Sequence, residues 1–328
     1  MPFRLPGEWE THRATWIAWP HEVLTFPHLE SVQRTFAKMI SRISRGETVN
    51  LLAHRRLHEH VRSHLKKTRN VVVHDVATAD VWLRDTGPIF VKKNRSLTAT
   101  CWRFNAWGNK YVDLLADSGL NLKIARLAGV PAEPVDFVLE GGSIDSNGAG
   151  LCLTSEECLL NKNRNPTFTK KKIESKLSAH LGFKKFLWLG QGVAGDDTDG
   201  HVDDLARFVN EKTVVYAITE DPKNPNYASL KDNEARLEGY AKKHSLTLAP
   251  IPLPRLFDSE GNPLPASYCN FYIANACVLV PIFKKKTDRE ARSVLKELFP
   301  DRLVVSIDCR HLVEGFGAIH CVTQQQPL

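Results

Sequence analysis

The feature that most constrains the fold is a recurrence of polar, glycine-containing motifs along the chain. If one polar residue of each motif is taken as its anchor, successive anchors are 55, 61, 69 and 51 residues apart. Each motif except the last is followed by an apolar run typical of a β-strand. A quasi-period of this length indicates repeated supersecondary units, whose loops can converge at one centre. The anchors are Asp85, Glu140, His201, Asn270 and Cys321.

Helical and strand-like patterns alternate between these motifs. Apolar spacing predicts amphipathic helices over 32–43, 229–244 and 287–298, the last with Thr287 as its N-cap. The alternation predicts an α/β fold, and since no Pro/Ser-rich linker divides it, a single domain over 1–328. The proline-rich segment 250–265 is predicted to be a surface loop or lid. Strands are predicted over 71–74, 88–92, 138–139, 150–153, 213–218, 276–282 and 303–307.

The composition is that of an ordinary globular protein. Hydrophobic residues make up 42% and charged residues 25% of the 328 positions, so neither a disordered chain nor a coiled coil is expected. No stretch approaches the roughly 18 uninterrupted apolar residues of a membrane span, and the first residues lack the apolar segment of a signal peptide. We therefore expect a soluble, cytoplasmic protein with no membrane partner. The seven cysteines include no C-x-x-C pair and are expected to be free thiols.

The formal net charge of +7 at first suggests a nucleic-acid partner. The positive excess is spread over predicted helices, however, whereas the motif loops are acidic, and no interleaved basic and aromatic motif occurs. This distribution favours a small cationic ligand over nucleic acid. Neither G-x-G-x-x-G nor G-x-x-x-x-G-K-[ST] is present, so a nucleotide cofactor is not predicted.

Several motif residues are suited to nucleophilic and acid–base chemistry. Cys321 follows small residues that let a ligand approach, and a thiol is a good nucleophile near neutral pH; a buried structural cysteine is the alternative. His201 and Asp203, two positions apart, would share one face of an extended segment and suit general acid–base work or, alternatively, a metal site. Glu140 could orient an imidazole or form a loop salt bridge. The histidines of 54–64 could bind a metal, but a solvated helical face is favoured.

A pair of carboxylates could hold a planar cation. Asp85 and Asp203, from different units, could bind a guanidinium group bidentately, although Asp85 could instead pair with Arg84. Trp82 or Trp107 could add a cation–π face, although core packing is the commoner role of a tryptophan.

Eight segments together give the chain a specific resemblance. Over nearly its whole length the sequence resembles the agmatine deiminases, in the family that includes the bacterial peptidyl-arginine deiminases. The resemblance implies the pentein fold, with five ββαβ-like units in a pseudo-fivefold α/β propeller. The segments are GEWETHRATWIAWP (7–20), DVWLRDTGP (80–88), NAWGNKY (105–111), LEGGSIDSNGAG (139–150), CLLNKNRNP (158–166), DDTDGHVDDLARF (196–208), SYCNFYIAN (267–275) and GAIHCVTQQQP (317–327).

The resemblance also implies roles for the anchors. Cys321 matches the family's nucleophile and His201 its general acid/base, while Glu140 matches the carboxylate that hydrogen-bonds this histidine. Asp85 and Asp203 match the pair that binds the guanidinium. No metal or organic cofactor is implied. The chain departs from the family by having Phe316 and Ala318 where relatives often have glycine and asparagine before the nucleophile.

The implied reaction is hydrolysis of agmatine to N-carbamoylputrescine and ammonia through a covalent cysteine intermediate, a step of polyamine biosynthesis. Candidates for binding the distal ammonium are Asp197, Asp199 and Trp82. A deiminase of peptidyl-arginine or free arginine, and a binding protein without activity, are the alternatives. The sequence leaves the oligomeric state open, a homo-oligomer included.

Overall fold

The computed structural model describes residues 3–94 and 96–328. The strands are β1 (Phe3–Arg4), β2 (His12–Ala18), β3 (Thr48–Ala53), β4 (Val71–Asp75), β5 (Ile89–Lys93), β6 (Ser96–Arg103), β7 (Ala132–Val138), β8 (Ile144–Ser146), β9 (Leu151–Ser155), β10 (Lys185–Leu189), β11 (Ala206–Phe208), β12 (Thr213–Ile218), β13 (Thr247–Pro252), β14 (Tyr272–Ile273), β15 (Cys277–Ile282), β16 (Leu303–Asp308) and β17 (Gln324–Pro327). The helices are α1 (Leu29–Ile43), α2 (His58–His64), α3 (Leu83–Thr86), α4 (Ala106–Asn109), α5 (Leu120–Ala128), α6 (Glu156–Leu159), α7 (Lys170–Leu181), α8 (Tyr227–His244) and α9 (Asp288–Leu298).

The described strands form five mixed sheets that share one pattern. In each sheet an antiparallel pair is extended by a strand parallel to its second member. The parallel neighbours are joined by a crossover helix, as parallel pairing requires. The sheet orders are β17-β2-β3-β4, β1-β5-β6-β7, β8-β9-β10, β11-β12-β13 and β14-β15-β16, with crossovers α1, α5, α7, α8 and α9 in turn. The predicted α/β class is therefore confirmed.

The five anchors occupy equivalent places in this pattern. Asp85 shortly precedes β5, Glu140 precedes β8, His201 precedes β11, Asn270 precedes β14 and Cys321 precedes β17. Each of these strands is the first member of an antiparallel pair. The final strand, β17, pairs with β2 near the start of the chain, so the last motif completes the sheet of β2, β3 and β4.

The predicted helices are confirmed as α1, α8 and α9, because their apolar spacing matches a buried face. Val32, Phe36 and Met39 of α1 are fully buried. Thr287 occupies the N-cap position of α9, as predicted. Its side chain, however, makes no capping hydrogen bond. Its hydroxyl instead hydrogen-bonds Tyr268 Oη at 2.8 Å.

All seven predicted strands lie within or overlap observed ones, and 213–218 coincides with β12. Segment 250–265 begins inside β13 and continues as a loop with one bridge between Phe257 and Pro263. In the residues that the structure describes, none of this loop lines the cavity beside Cys321. Among the same residues, no helix combines the length and apolarity needed to cross a membrane.

Candidate active site

An acidic cavity of about 270 Å³ opens beside Cys321. No Lys, Arg or His is among its lining side chains, as far as residues 3–94 and 96–328 show. Aromatic rings complete the wall, so the cavity combines negative charge with π-faces, which suits an organic cation. The acidic lining residues are Asp80, Asp85, Asp113, Asp197 and Glu314, and the aromatic ones are Trp82, Trp107, Tyr111 and Phe316.

Cys321 is fixed by the fourth anchor, Asn270. The Asn270 Nδ2 atom is 3.1 Å from Cys321 Sγ, and its Oδ1 accepts the backbone N–H of His320 at 2.9 Å. The backbone oxygen of Cys321 accepts the N–H of Arg84 at 3.1 Å, which ties the nucleophile loop to α3. The sequence marked Asn270 as an anchor without a role; the structure gives it the role of holding the thiol.

Phe316, at which the chain departs from the family, has a strained backbone conformation. Phe316 adopts a left-handed φ of 68° and is 41% exposed at the cavity wall. A non-glycine residue in this region is uncommon and strained. Gly317 lies so close to Trp82 that a Cβ would approach the indole to 2.4 Å, so position 317 requires glycine.

The free thiol is held in its neutral form. Burial raises the pKa of Cys321 well above its usual range, and the carboxylates Asp203, Asp204 and Asp85 raise it further. A negative environment disfavours a thiolate. Cys321 therefore needs a bound cation before it becomes a strong nucleophile.

Asp203 is anchored below the cavity by a buried ionic network. Its Oδ2 is 2.6 Å from His320 Nδ1 and 3.8 Å from Cys321 Sγ. His320 Nε2 lies 2.8 Å from Glu8, and Glu8 also pairs with Arg207 at 3.0 Å. Burial would raise the pKa of Asp203, but His320, and to a lesser degree Arg207, hold it below its usual range. Asp203 is thus ionised.

Asp85 is oriented by two donors. Its Oδ1 accepts the Gly142 N–H at 3.0 Å, and its Oδ2 accepts Trp107 Nε1–H at 3.0 Å. Burial raises the pKa of Asp85, and Glu140 and Asp203 nearby add to the rise. The alternative pairing with Arg84 is wrong, because Arg84 points away and bonds Glu8 at 3.3 Å.

His201 lies beneath the cavity, 1% exposed, and does not line it. Its Nδ1 is 3.8 Å from Asp85 Oδ2. Neither ring nitrogen has a hydrogen-bond partner in the part of the chain that the structure describes. Burial would lower the pKa of His201, but Asp85, Cys158 and Asp203 together raise it well above its usual value, so the imidazolium form prevails. An unpartnered, protonated imidazole is poised to donate a proton.

Glu140 lies next to His201 without a direct hydrogen bond to it. Ligand atoms of Glu140, Cys158 and His201 are within 4.8 Å of one another. Glu140 Oε1 accepts Arg164 Nε–H at 2.8 Å, while its Oε2 is buried and unpartnered among the described residues. The expected Glu140–His201 hydrogen bond is not formed among the described residues, because Glu140 is oriented by Arg164 instead. These three residues could also hold a metal ion; a second such group is His28, His311 and Glu314.

Gly142 allows three of the candidate catalytic side chains to approach one another. A Cβ at this position would lie 2.5 Å from His201 Nδ1, 3.1 Å from Asp203 Oδ2 and 3.2 Å from Asp85 Oδ1. Three predicted residues, from two units, therefore converge on the backbone of Gly142, which belongs to a third unit. The expected extended segment from His201 to Asp203 is wrong, because Val202–Asp204 forms a 3₁₀ turn, yet the turn still brings His201 and Asp203 together.

The structure separates the candidates for the distal cation. Trp82 and Asp197 line the cavity, and Tyr111 Oη donates to the Asp197 carboxylate. Asp199 does not line it; Lys110 pairs with its Oδ1 at 2.7 Å and Arg164 with its Oδ2. The negative charge of Asp199 is thereby neutralised within the protein.

Sequence reasoning missed the residues that support the site. Arg164, Glu8 and His320 lie in segments that carried the family resemblance, but none received a role. Arg164 could have been found because it is an arginine without an assigned role in a polar motif. A buried carboxylate such as Glu140 requires a partner of this kind. The spatial pairing itself, Arg164 with Glu140, was not accessible from spacing.

Comparison with known proteins shows the family of this chain. The profile of the Porphyromonas-type peptidyl-arginine deiminase family matches residues 4–327. The structure of agmatine deiminase from Enterococcus faecalis is 33% identical with a TM-score of 0.92, covering 99% of this chain and 96% of that one. A cysteine-to-serine variant of C. jejuni agmatine deiminase with substrate bound is 33% identical with a TM-score of 0.91, with the same coverage.

A distant likeness extends to the fold alone. DDAH from Pseudomonas aeruginosa is 12% identical with a TM-score of 0.52, covering 96% of this chain and 99% of that one. The α/β fold with mixed sheets is therefore related to the pentein fold.

Proposed function

Because the chain belongs to the Porphyromonas-type peptidyl-arginine deiminase family, we propose that it is an agmatine deiminase. It hydrolyses the guanidinium group of agmatine to N-carbamoylputrescine and ammonia, the activity named for its E. faecalis and C. jejuni relatives. The observation that carries the proposal is the cavity, in which a cysteine thiol lies among carboxylates and aromatic rings. Such a lining favours a substrate that is cationic at both ends.

The guanidinium group binds between Asp85 and Asp203. The Oδ1 atom of Asp203 is buried and lacks a partner among the described residues, and a buried acceptor of this kind requires a donor. A guanidinium offers several N–H donors in a plane, and its charge offsets the repulsion between the two carboxylates. Binding there brings the guanidinium carbon to Cys321, whose Sγ is 3.8 Å from Asp203.

Substrate binding activates the nucleophile. The bound cation lowers the pKa of Cys321, since an adjacent positive charge favours the thiolate, and the thiol proton leaves to solvent. The thiolate then attacks the guanidinium carbon and forms a neutral tetrahedral adduct. The His201 imidazolium donates a proton to one amino group, the C–N bond breaks, and ammonia departs, leaving a covalent thiouronium.

Hydrolysis completes the cycle. Neutral His201 now accepts a proton from water as the water oxygen attacks the thiouronium carbon. The C–S bond breaks, the hydroxyl proton of the adduct passes to the departing Cys321 sulfur and restores its thiol, and the neutral ureido product is released. Glu140, within 4.8 Å of His201, stabilises its protonated form. This route uses no metal or organic cofactor.

The distal ammonium of agmatine binds at Asp197 and Trp82. Both line the cavity with Asp85 and Cys321, whereas Asp199 is committed to Lys110 and is the weaker candidate. The carboxylate supplies a charge partner and the indole a cation–π face.

We also propose that 1–328 is one catalytic domain of five ββαβ-like units around a pseudo-fivefold axis. The shared strand pattern of the five sheets and the equivalent position of each anchor before a sheet's first strand support this arrangement. It explains why residues as distant as Asp85 and Cys321 line one cavity.

An ammonia-release panel tests the substrate. We expect turnover of agmatine, much weaker turnover of free arginine, whose carboxylate faces acidic walls, and little of a blocked arginine peptide. Equal or faster turnover of the blocked peptide would replace the proposal with a peptidyl-arginine deiminase. No ammonia from any guanidino compound would favour a binding protein.

The affinity for agmatine should rise with pH through about 6. Burial raises the pKa of Asp80, which lines the cavity, to about 6, so this carboxyl stays neutral between about pH 4 and pH 6, where an ordinary aspartate is ionised. Both substrate cations remain charged there. If agmatine binds only to protein in which Asp80 is ionised, the Kd at about pH 5 is roughly tenfold higher than at about pH 7. Calorimetry on the inactive Cys321→Ala protein measures this.

Asp80→Asn is the control for that titration, because it keeps the size of the side chain and removes its charge. Its Kd should vary less between these pH values than that of the parent. Identical pH profiles for the two proteins would show that Asp80 does not act on the substrate.

A further inference from the structure

A second cluster of ligand atoms lies at the rim of the cavity, apart from the groups around Cys321. His28, His311 and Glu314 each place one side-chain nitrogen or oxygen within 4.8 Å of the other two. The centroids of the two imidazole rings are 4.2 Å apart, and His311 Nδ1 is 3.3 Å from Glu314 Oε1. His28 is exposed and the other two are half-buried, so a dissolved ion can reach the cluster.

The segments that carry these ligands are fixed to each other. His28 directly precedes α1, and the other two ligands follow β16. Two side chains of α1 donate hydrogen bonds to backbone oxygens of β16: Thr35 to Asp308 at 3.0 Å and Lys38 to Ser306 at 2.9 Å. The cluster is therefore held by the packing of a helix on a sheet, which favours a preorganised site.

We propose that His28, His311 and Glu314 form a binding site for a zinc-class divalent ion, which inhibits entry of the cationic substrate. Two imidazoles and a carboxylate form a ligand set that Zn²⁺ takes, with water in the fourth position. Zinc–ligand bonds of about 2.0–2.2 Å require donors about 3.3 Å apart. Rotation of the exposed His28 ring closes the remaining gap.

We expect inhibition because Glu314 belongs both to the metal site and to the cavity. This expectation rests on the proposed function. Glu314 is both a ligand of the cluster and part of the cavity lining. A bound ion engages its carboxylate and places two positive charges at the mouth of an otherwise acidic cavity. Repulsion then weakens binding of a cationic substrate, whereas the chemical step at Cys321, which is not a ligand, is unaffected. Zinc should raise KM and leave kcat unchanged.

Equilibrium dialysis against zinc chloride tests the site without turnover. Wild-type and Cys321→Ala proteins should each bind one Zn²⁺ that is lost in the His28→Gln/His311→Gln double variant. The matched control is His60→Gln/His64→Gln, whose rings are 4.4 Å apart but which belong to no three-ligand group among the described residues. Loss of the ion in this control, or its retention in the first double variant, would overturn the site.

Kinetics with agmatine test the consequence. Zinc should raise the wild-type KM roughly tenfold, and a chelator should restore it. The His28→Gln/His311→Gln variant should match wild-type kinetics without zinc and keep its KM with zinc. Equal inhibition of both proteins would place the inhibitory metal elsewhere, at Cys321 or at the group of Glu140, Cys158 and His201, and overturn the proposal. Failure of agmatine to react would leave the dialysis result standing, so the two proposals fail separately.

Discussion

Replacing Cys321 with alanine should lower kcat by roughly 10⁴-fold or more, the scale on which removal of a nucleophile acts. The fold should persist, because in the described structure the hydrogen bonds of the thiol go to Asn270 and Asp203 alone and alanine keeps the Cβ. Wild-type enzyme quenched during turnover should show a covalent adduct by mass spectrometry on the peptide that contains Cys321, and the variant should show none.

Cys101→Ala is the matched control. Cys101 is also buried, and burial raises its pKa to about 11, but it packs in an apolar cluster away from the cavity. This variant should keep its kcat and form the adduct. Turnover by Cys321→Ala near the wild-type rate, or an adduct on another cysteine, would exclude Cys321 as the nucleophile.

Replacing Gly142 with alanine should lower kcat/KM by roughly 10²-fold or more, because a displacement of about 1 Å at reacting groups costs that much. The new Cβ would lie 2.5 Å from His201 Nδ1 and 3.1 Å from Asp203 Oδ2, so both side chains must move. The backbone N–H that binds Asp85 would shift with them. Steady-state kinetics together with circular dichroism separate this effect from unfolding.

Gly239→Ala is the matched control, for which we expect unchanged activity and higher stability. Gly239 lies inside α8, and a Cβ there meets no atom within 4 Å. Removing a glycine from a helix interior should raise the free energy of unfolding by about 0.5–1 kcal/mol, with unchanged kinetics. Full activity in Gly142→Ala would show that the close approach of His201 and Asp203 is not needed for catalysis.

Much of the fold was predictable where local physics decides it. Helix α1 follows from apolar residues at spacings of three and four, and β12 from a continuous apolar run. The last strand, β17, was not predicted, because its sequence is glutamine-rich. Gln326 is 3% exposed and accepts the Trp16 Nε1–H at 2.9 Å, so its burial depends on a partner 310 residues away that no local pattern reveals.

The reactive residues of the candidate site could be predicted from the sequence, whereas the residues that hold them in place could not. Motif spacing and the family resemblance identified Cys321, Asp85 and Asp203, which lie together at or below one cavity. They did not identify which oxygen of a carboxylate is free. Asp203 keeps Oδ1 unpartnered in the described structure because His320 occupies Oδ2, and that choice depends on three-dimensional packing.

The sequence by itself determined the class of fold and the chemical types in the motif loops, because periodicity and residue chemistry are local properties. Only the tertiary structure decided the protonation states. Burial beside like charges keeps Cys321 a thiol, and neighbouring carboxylates keep His201 protonated. Desolvation and Coulomb interactions depend on distances between residues far apart in the chain, and those distances exist only after folding.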